Sequence, residues 1–169
     1  MARGNTAHRV IVSVIGIPLI LALCYFGGWY FFAFVSVIAL VSLIEFYLLS
    51  KNKGAHPNFA VGIFAVIILL LNELIPFVPL YYFLIVVMLI LFGAELFRNK
   101  DSAILNIGTT LLGICYIGFF SISLISIREF YPPVEELYMR GGWIIISVLV
   151  SIWICDSAAF FGGVKYGKH

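Results

Sequence analysis

Long apolar segments are the feature that most restricts the fold of this chain. A helix that crosses a membrane needs about 20 mostly apolar residues, because each residue advances it by about 1.5 Å through about 30 Å of hydrocarbon. Six segments approach this length and are separated by polar residues, glycine or proline. They are Val10–Phe26, Trp29–Leu49, Phe59–Leu71, Leu80–Leu96, Ile104–Ile127 and Trp143–Phe161. The pattern predicts an all-α, polytopic membrane bundle of about six transmembrane helices, or five if the third and fourth segments include a re-entrant piece.

Composition supports the same fold class and excludes several functions. Of the 169 residues, 63% are hydrophobic and only 11% are charged, whereas soluble domains carry about 25% charged residues. So few charges cannot cover the surface of a soluble domain, and they do not provide a basic face for nucleic acid. We therefore predict a single integral membrane domain, residues 1–169, without a nucleic-acid partner.

The distribution of lysine and arginine predicts the orientation of the chain. Cytoplasmic connections of membrane proteins are enriched in these residues. With six spans, eight of the ten basic residues fall on the side of the N-terminus. They are Arg3, Arg9, Lys51, Lys53, Arg98, Lys100, Lys165 and Lys168, and only Arg128 and Arg140 fall on the other side. Both termini are therefore predicted in the cytoplasm, with the chain in the inner (cytoplasmic) membrane.

Two carboxylates lie inside the apolar segments. Glu45 is near the end of the second segment, and Asp156 is near the end of the sixth. A carboxylate at mid-bilayer costs about 2.5–3.5 kcal/mol, so it usually has a partner or a function. Lys51 and Lys53 follow Glu45 closely, which favours simple pairing there. Asp156 lies about two-thirds of the way across, on the predicted cytoplasmic side, and is the stronger functional candidate.

The residues after Asp156 have a composition suited to binding a phosphate group. Small residues allow close helix approach, and Gly162 and Gly163 allow the chain to turn. Lys165 and Lys168 provide positive charges, while Asp156 offers an oxygen ligand for a metal ion that phosphate also binds. The string from Gly162 to Lys168 also fits GxxxxGK, but a P-loop needs a preceding strand and a Ser or Thr after the lysine. We therefore interpret the segment as a membrane-helix end and not as a P-loop.

Residues 153–169 resemble a signature of the phosphatidate cytidylyltransferase (CDP-diacylglycerol synthase) family. The residues that match it are Trp153, Asp156, Ser157, Ala159, Phe161, Gly163, Gly167, Lys168 and His169, and Phe160 and Tyr166 stand in the same register. Phe160, Val164 and Tyr166 depart from the residues usual in the family, and Lys165 offers a basic group beside Val164. Less specific similarity extends over the whole chain, at Arg9, Gly16–Leu19, Glu45–Phe46, Gly113, Tyr116–Gly118 and Arg128.

This resemblance implies a reaction and a set of roles. CTP and phosphatidate would give CDP-diacylglycerol and pyrophosphate at the cytoplasmic face, with Mg²⁺ as cofactor. Asp156 would be catalytic and a metal ligand. The substrate-binding residues would be Ser157, Gly162, Gly163, Lys165, Lys168 and His169. Glu45, Tyr116 and Arg128 would be structural, with Arg128 as an anchor at the outer interface.

The resemblance reaches only the N-terminal portion of the family. Members continue beyond the position of His169 into a Ser-Pro-x-Lys-Thr loop and acidic C-terminal helices that supply further metal ligands. We therefore expect the chain to be inactive by itself, with a missing C-terminal part or a second copy as its partner.

Other functions remain open at this point. A CTP-dependent polyprenol or phytol kinase has a similar helix pattern. A small transporter and a non-catalytic membrane assembly factor are also compatible with six spans.

The orientation can be tested by thiol labelling of intact cells. Asn52→Cys should be protected from an impermeant thiol reagent, because position 52 is predicted in the cytoplasm. Glu135→Cys should react, because position 135 is predicted outside. The reverse pattern would overturn the predicted topology.

Overall fold

Residues 3–98 and 100–167 fold into six helices joined by short connections. The computed structural model describes residues 3–98 and 100–167, with side chains for all of these except 3–12, 135, 165 and 166. The helices are α1 (Arg3–Phe26), α2 (Gly28–Lys51), α3 (Phe59–Leu74), α4 (Leu80–Arg98), α5 (Ala103–Arg128) and α6 (Glu135–Tyr166). Helix accounts for 85% of the structure, and the described residues include no strand. The all-α prediction is confirmed.

Among the residues with described side chains, four helices are long and apolar enough to cross a membrane, namely α2, α4, α5 and α6. By contrast, α3 has 16 residues, which extend about 24 Å, less than the roughly 30 Å of a hydrocarbon core. These dimensions fit a polytopic membrane protein and identify α3 as the shortest helix, as the sequence predicts.

Polar side chains and glycines fix the helix ends. Asn58 and Ser102 cap α3 and α5 by accepting hydrogen bonds from the backbone N–H groups of Val61 and Leu105. Between α1 and α2 the chain turns at Gly27, whose φ of +65° lies in the left-handed region that glycine adopts without strain. At the N-termini of α3 and α5, local residues therefore satisfy backbone groups that a helix end exposes.

The chain forms two compact units. One comprises residues up to Phe31 together with those from Ile127 onward, and the other comprises Phe32–Ser126. The core of the second unit is apolar and formed by α3, α4 and α5. Its buried members are Ala65, Leu69, Phe83, Val87, Leu91 and Ile114.

Tyr47 joins α2, α3 and α5 in the second unit. Its side chain is fully buried, its hydroxyl donates to the Thr110 carbonyl oxygen at 2.9 Å, and its ring packs edge-on against Phe59 with centroids 5.2 Å apart. Gly62 and Gly113 lie directly against this ring, where a Cβ atom at either position would overlap it. The two glycines thus create the space that Tyr47 fills.

Helix α5 contains a π-helical segment, Ile114–Gly118. A π turn places residues five apart on one face, and Gly113 and Gly118 are both buried. Gly118 approaches Leu69 of α3, since an added Cβ would lie 3.0 Å from its Cδ1 atom. Tyr116, within the same segment, is exposed and packs against Phe120 with ring centroids 5.2 Å apart.

Asn106 connects the two loops at the α3 and α5 N-termini. Its buried amide donates to the Glu95 carboxylate and to the Lys100 carbonyl oxygen. Its Oδ1 atom accepts the His56 backbone N–H at 2.6 Å. His56 also pairs with Asp101 at 2.8 Å. The loops 52–58 and 100–102 are therefore held together by hydrogen bonds to one side chain.

Substitution at Gly62 tests the role of Tyr47. Gly62→Ala should lower the thermal unfolding midpoint in detergent, because the added methyl group overlaps the Tyr47 ring, and such overpacking costs about 1–3 kcal/mol. The control is Gly108→Ala, since a Cβ at Gly108 would meet nothing within 4 Å. Equal midpoints for the two variants would refute this packing.

Candidate functional site

The candidate site lies in the first unit, where α1 packs against α6. Close contact between these helices occurs at Gly142, since an added Cβ would lie 3.0 Å from the Cys24 carbonyl oxygen. The C-terminal end of α1 therefore meets the N-terminal part of α6, and the two helices run antiparallel. Ser13 and Gly16 of α1 consequently lie opposite the Asp156 region of α6.

A groove opens between the two helices at that level. Its volume is about 510 Å³, within the range of about 300–1,000 Å³ that is typical of ligand sites. Seven residues line it: Ser13, Gly16, Ile17 and Ile20 from α1, and Trp153, Asp156 and Ser157 from α6. Two predicted site residues, Asp156 and Ser157, are thus brought into one concave surface.

Asp156 is available for an external partner. Its side chain is exposed on the groove, and no hydrogen bond or ion pair to it occurs among residues 3–98 and 100–167 with described side chains. A carboxylate in a membrane segment is costly without a partner, and this one is accessible from the groove.

The predicted turn at Gly162 and Gly163 is not formed. Both glycines lie inside α6, which continues to Tyr166, and neither has a positive φ. A Cβ at either position would meet nothing within 4 Å. Glycine inside a helix costs only about 1 kcal/mol relative to alanine, so the helix extends five residues past the predicted end at Phe161. The substrate-binding role of these glycines stays a prediction.

The structure describes less of the basic residues that follow Asp156. Lys165 lies in the last turn of α6, but its side chain is among those not described. Lys168 and His169 lie outside the described residues. Their predicted contacts with nucleotide therefore stay predictions.

Glu45 belongs to the second unit. Its side chain is exposed on α2, and the described part of the chain contains no ion pair to it. Lys51, the partner that the sequence suggests, instead places its Nζ atom 4.6 Å from the centroid of the Phe59 ring. The structural roles of Glu45 and Tyr116 stay predictions.

The described residues do not form a magnesium site by themselves. Mg²⁺ requires a nearly octahedral set of oxygen ligands. Among the residues with described side chains, no group of three or more His, Cys, Asp or Glu residues could hold a metal ion. Asp156 and Ser157 offer one carboxylate and one hydroxyl, which do not complete such a site.

Arg128 forms a buried polar centre that the sequence did not predict. Its side chain is fully buried. Its Nε atom donates to the Cys24 carbonyl oxygen at 2.6 Å, and its Nη2 atom donates to the Tyr25 carbonyl oxygen at 2.9 Å. Its Nη1 atom donates to the backbone carbonyl oxygen of Tyr138 at 3.2 Å. The guanidinium thus caps the C-terminus of α1, where free carbonyl groups and the helix dipole favour a cation.

Neighbouring groups complete this centre. Glu129 accepts the Gly28 N–H at 2.8 Å and the Tyr138 hydroxyl at 3.1 Å. The guanidinium also lies over the Tyr138 ring, 4.3 Å from its centroid. The sequence predicts an anchor at the membrane interface, whereas the structure buries Arg128 between α1 and α6. Two of its partners, Cys24 and Tyr25, lie about 100 positions earlier in the chain, so local sequence gives no sign of them.

Comparison with known proteins identifies the family. Residues 7–169 match the cytidylyltransferase family, which is nearly the whole chain. The chain belongs to the cytidylyltransferase family. This finding confirms the resemblance that residues 153–169 carry.

One curated relative of this cytidylyltransferase-family chain is a protein of Synechocystis sp. named phosphatidate cytidylyltransferase. The two are 28% identical over 181 aligned residues, which cover 95% of this chain and 61% of the relative. The chain thus spans about three-fifths of that relative's length. No solved structure matches the chain.

The capping of the α1 C-terminus by Arg128 can be tested by removal of the guanidinium group. Arg128→Met leaves the Cys24 and Tyr25 carbonyl oxygens at the end of α1 without this donor, and each unsatisfied buried group costs about 1–3 kcal/mol. We expect a large fall in the thermal unfolding midpoint in detergent. Arg140→Met is the matched control, because Arg140 is an exposed arginine on α6. Similar midpoints for the two variants would contradict the structural role of Arg128.

Proposed function

We propose that this chain takes part in the transfer of a cytidylyl group from CTP to phosphatidate, which yields CDP-diacylglycerol and pyrophosphate. The observation that carries the proposal is the position of Asp156 and Ser157. Both belong to the family-like segment, and both line a groove of ligand size between two apolar helices. The family match and the name of the Synechocystis relative support the same reaction.

The chemistry requires two anionic substrates to meet at a membrane surface. An oxygen of the lipid phosphate attacks the α-phosphorus of CTP, and the bond to the pyrophosphate leaving group breaks in line. Catalysis of phosphoryl transfer depends mainly on positioning and charge stabilisation. In the proposal, Lys165, Lys168 and His169 bind the polyphosphate, while Ser157 donates a hydrogen bond at the groove.

Mg²⁺ enters the proposal through the family resemblance. Such an ion would neutralise negative charge on the transferring group. Asp156 would supply one oxygen ligand, and the described residues that line the groove include no other carboxylate. We therefore assign no step of the reaction to the metal ion.

The proposed cytoplasmic position of the groove follows from the distribution of lysine and arginine residues. Lys165 and Lys168 follow Asp156 on the side that carries eight of the ten basic residues. Basic residues of this kind mark the cytoplasmic side of an inner membrane. CTP is a cytoplasmic substrate, so the groove would meet the nucleotide on this side.

Asp156→Asn tests the proposed function. The measurement is CTP-dependent formation of CDP-diacylglycerol by a protein of family length in which residues 1–169 of this chain replace the matching segment of the Synechocystis relative. The variant should lose activity by about a hundredfold or more, because in the proposal the carboxylate would hold the cation that neutralises negative charge on the transferring group.

The matched control is Glu136→Gln, which removes an exposed carboxylate from the first turn of the same helix. It should retain the parent activity. Full activity of Asp156→Asn would exclude Asp156 from the catalytic site.

A further inference from the structure

We propose that one end of the second unit binds the headgroups of anionic phospholipids in preference to those of zwitterionic ones. The surface is formed by Lys51, Lys53 and Lys100, at the end where α2 and α4 stop and α3 and α5 begin. We call it the basic end of the second unit. The proposal does not depend on the proposed function, because it involves neither the α1–α6 groove nor Asp156.

One buried side chain joins the two loops that carry these lysines. Lys51 and Lys53 lie where α2 passes into the loop before α3, and Lys100 lies in the loop between α4 and α5. Asn106 accepts the His56 backbone N–H at 2.6 Å and donates to the Lys100 carbonyl oxygen at 2.7 Å. Both hydrogen bonds use the same amide group, so the two loops lie side by side and present their lysines at the same end of the unit.

The carboxylates closest to this end are already paired within the protein. Glu95 is nearly buried and accepts a hydrogen bond from Arg98 at 3.1 Å. Asp101 pairs with His56 at 2.8 Å. Glu45, the preceding carboxylate on α2, lies about 9 Å before the end of that helix. The side chains of the three lysines are exposed, so positive charge predominates at the surface.

Exposed apolar side chains beside Lys100 indicate a lipid and not a soluble anion. Phe97, Ile104 and Leu96 are 90%, 84% and 82% exposed. These are the highest values for large apolar side chains in the described part of the chain. Two of them lie in the last turn of α4 and one lies in the first turn of α5. A phospholipid offers hydrocarbon to these side chains and a charged headgroup to the lysines, whereas a soluble anion offers charge alone.

The membrane-spanning helices place this surface at headgroup level. Both α2 and α4 are long and apolar enough to cross a membrane, so their ends lie near the interface. Lysines at that level are attracted to the anionic lipids of the leaflet. The Nζ atom of Lys51 is 4.6 Å from the centroid of the Phe59 ring, which holds one charge close to the start of α3. The N-termini of α3 and α5 add partial positive charge at the same end.

The experiment is photo-crosslinking of the 169-residue chain in phosphatidylcholine nanodiscs at low salt. One probe is phosphatidylglycerol with a diazirine in one acyl chain, and the other is phosphatidylcholine with the same acyl chain. Phosphatidylglycerol carries one negative charge and is not a substrate of the proposed reaction. Mass spectrometry locates the labelled residues, which separates this surface from other basic parts of the chain. The phosphatidylglycerol probe should label Leu96, Phe97 or Ile104 about tenfold more than the phosphatidylcholine probe.

Charge variants should change this labelling ratio in opposite directions. Lys53→Gln and Lys100→Gln should each lower it by about fivefold, because one lysine near an anionic surface strengthens binding by about that factor. Asp101→Asn should raise it by a similar factor, since it removes a negative charge beside the lysines. Asparagine also suits the positive φ of 43° at this position. A rise in selectivity cannot result from loss of folding.

The matched control is Arg140→Gln, which removes an exposed basic residue from the first unit and should leave the ratio unchanged. Equal labelling by the two probes in the parent chain would overturn the proposal. An unchanged ratio in the folded double variant Lys53→Gln/Lys100→Gln would overturn it as well. Inorganic phosphate added at constant ionic strength should not compete. If it abolished the labelling by phosphatidylglycerol, the surface would bind a soluble anion and the proposed lipid partner would be wrong.

Discussion

Backbone hydrogen bonding in hydrocarbon is the constraint on which this structure depends. Inside a bilayer no water is present to satisfy an exposed N–H or C=O group, so the chain must satisfy them internally. Helices achieve this along their length but leave free groups at each end. Asn58 and Ser102 satisfy such groups at two N-termini. Arg128 satisfies them at the C-terminus of α1, where one side chain binds carbonyl groups from two helices.

The same constraint links the buried polar centre around Arg128 to the groove that contains Asp156. Arg128 fixes the C-terminus of α1 beside the first turns of α6 within one unit. Contact at that end sets how the two helices approach, and the groove with Asp156 opens farther along the same pair. Polar groups thus serve two purposes in this unit. Those of Arg128 and Glu129 are used within the protein, whereas the Asp156 carboxylate is directed toward the groove.

The sequence predicts the fold well because helix length in a membrane is set by apolar composition. All six segments are helices, and the family resemblance was visible in residues 153–169. Features that depend on contacts between distant residues were not predictable. The burial of Arg128 depends on Cys24 and Tyr25, and the groove depends on which residues of α1 face α6. Gly162 and Gly163 were misleading in another way, since a glycine pair permits a turn but does not require one.

Helix α6 is longer than the hydrocarbon core of a membrane is thick. Its 32 residues extend about 48 Å, well beyond a hydrocarbon core of about 30 Å. A helix of this length must tilt, or project from the bilayer, and thinner membranes increase the excess. The depth of Asp156 is therefore not a property of the protein alone. Lipids with longer or shorter chains would move the carboxylate relative to the aqueous phase, so the lipid composition of the membrane would itself adjust how far this carboxylate is exposed to water.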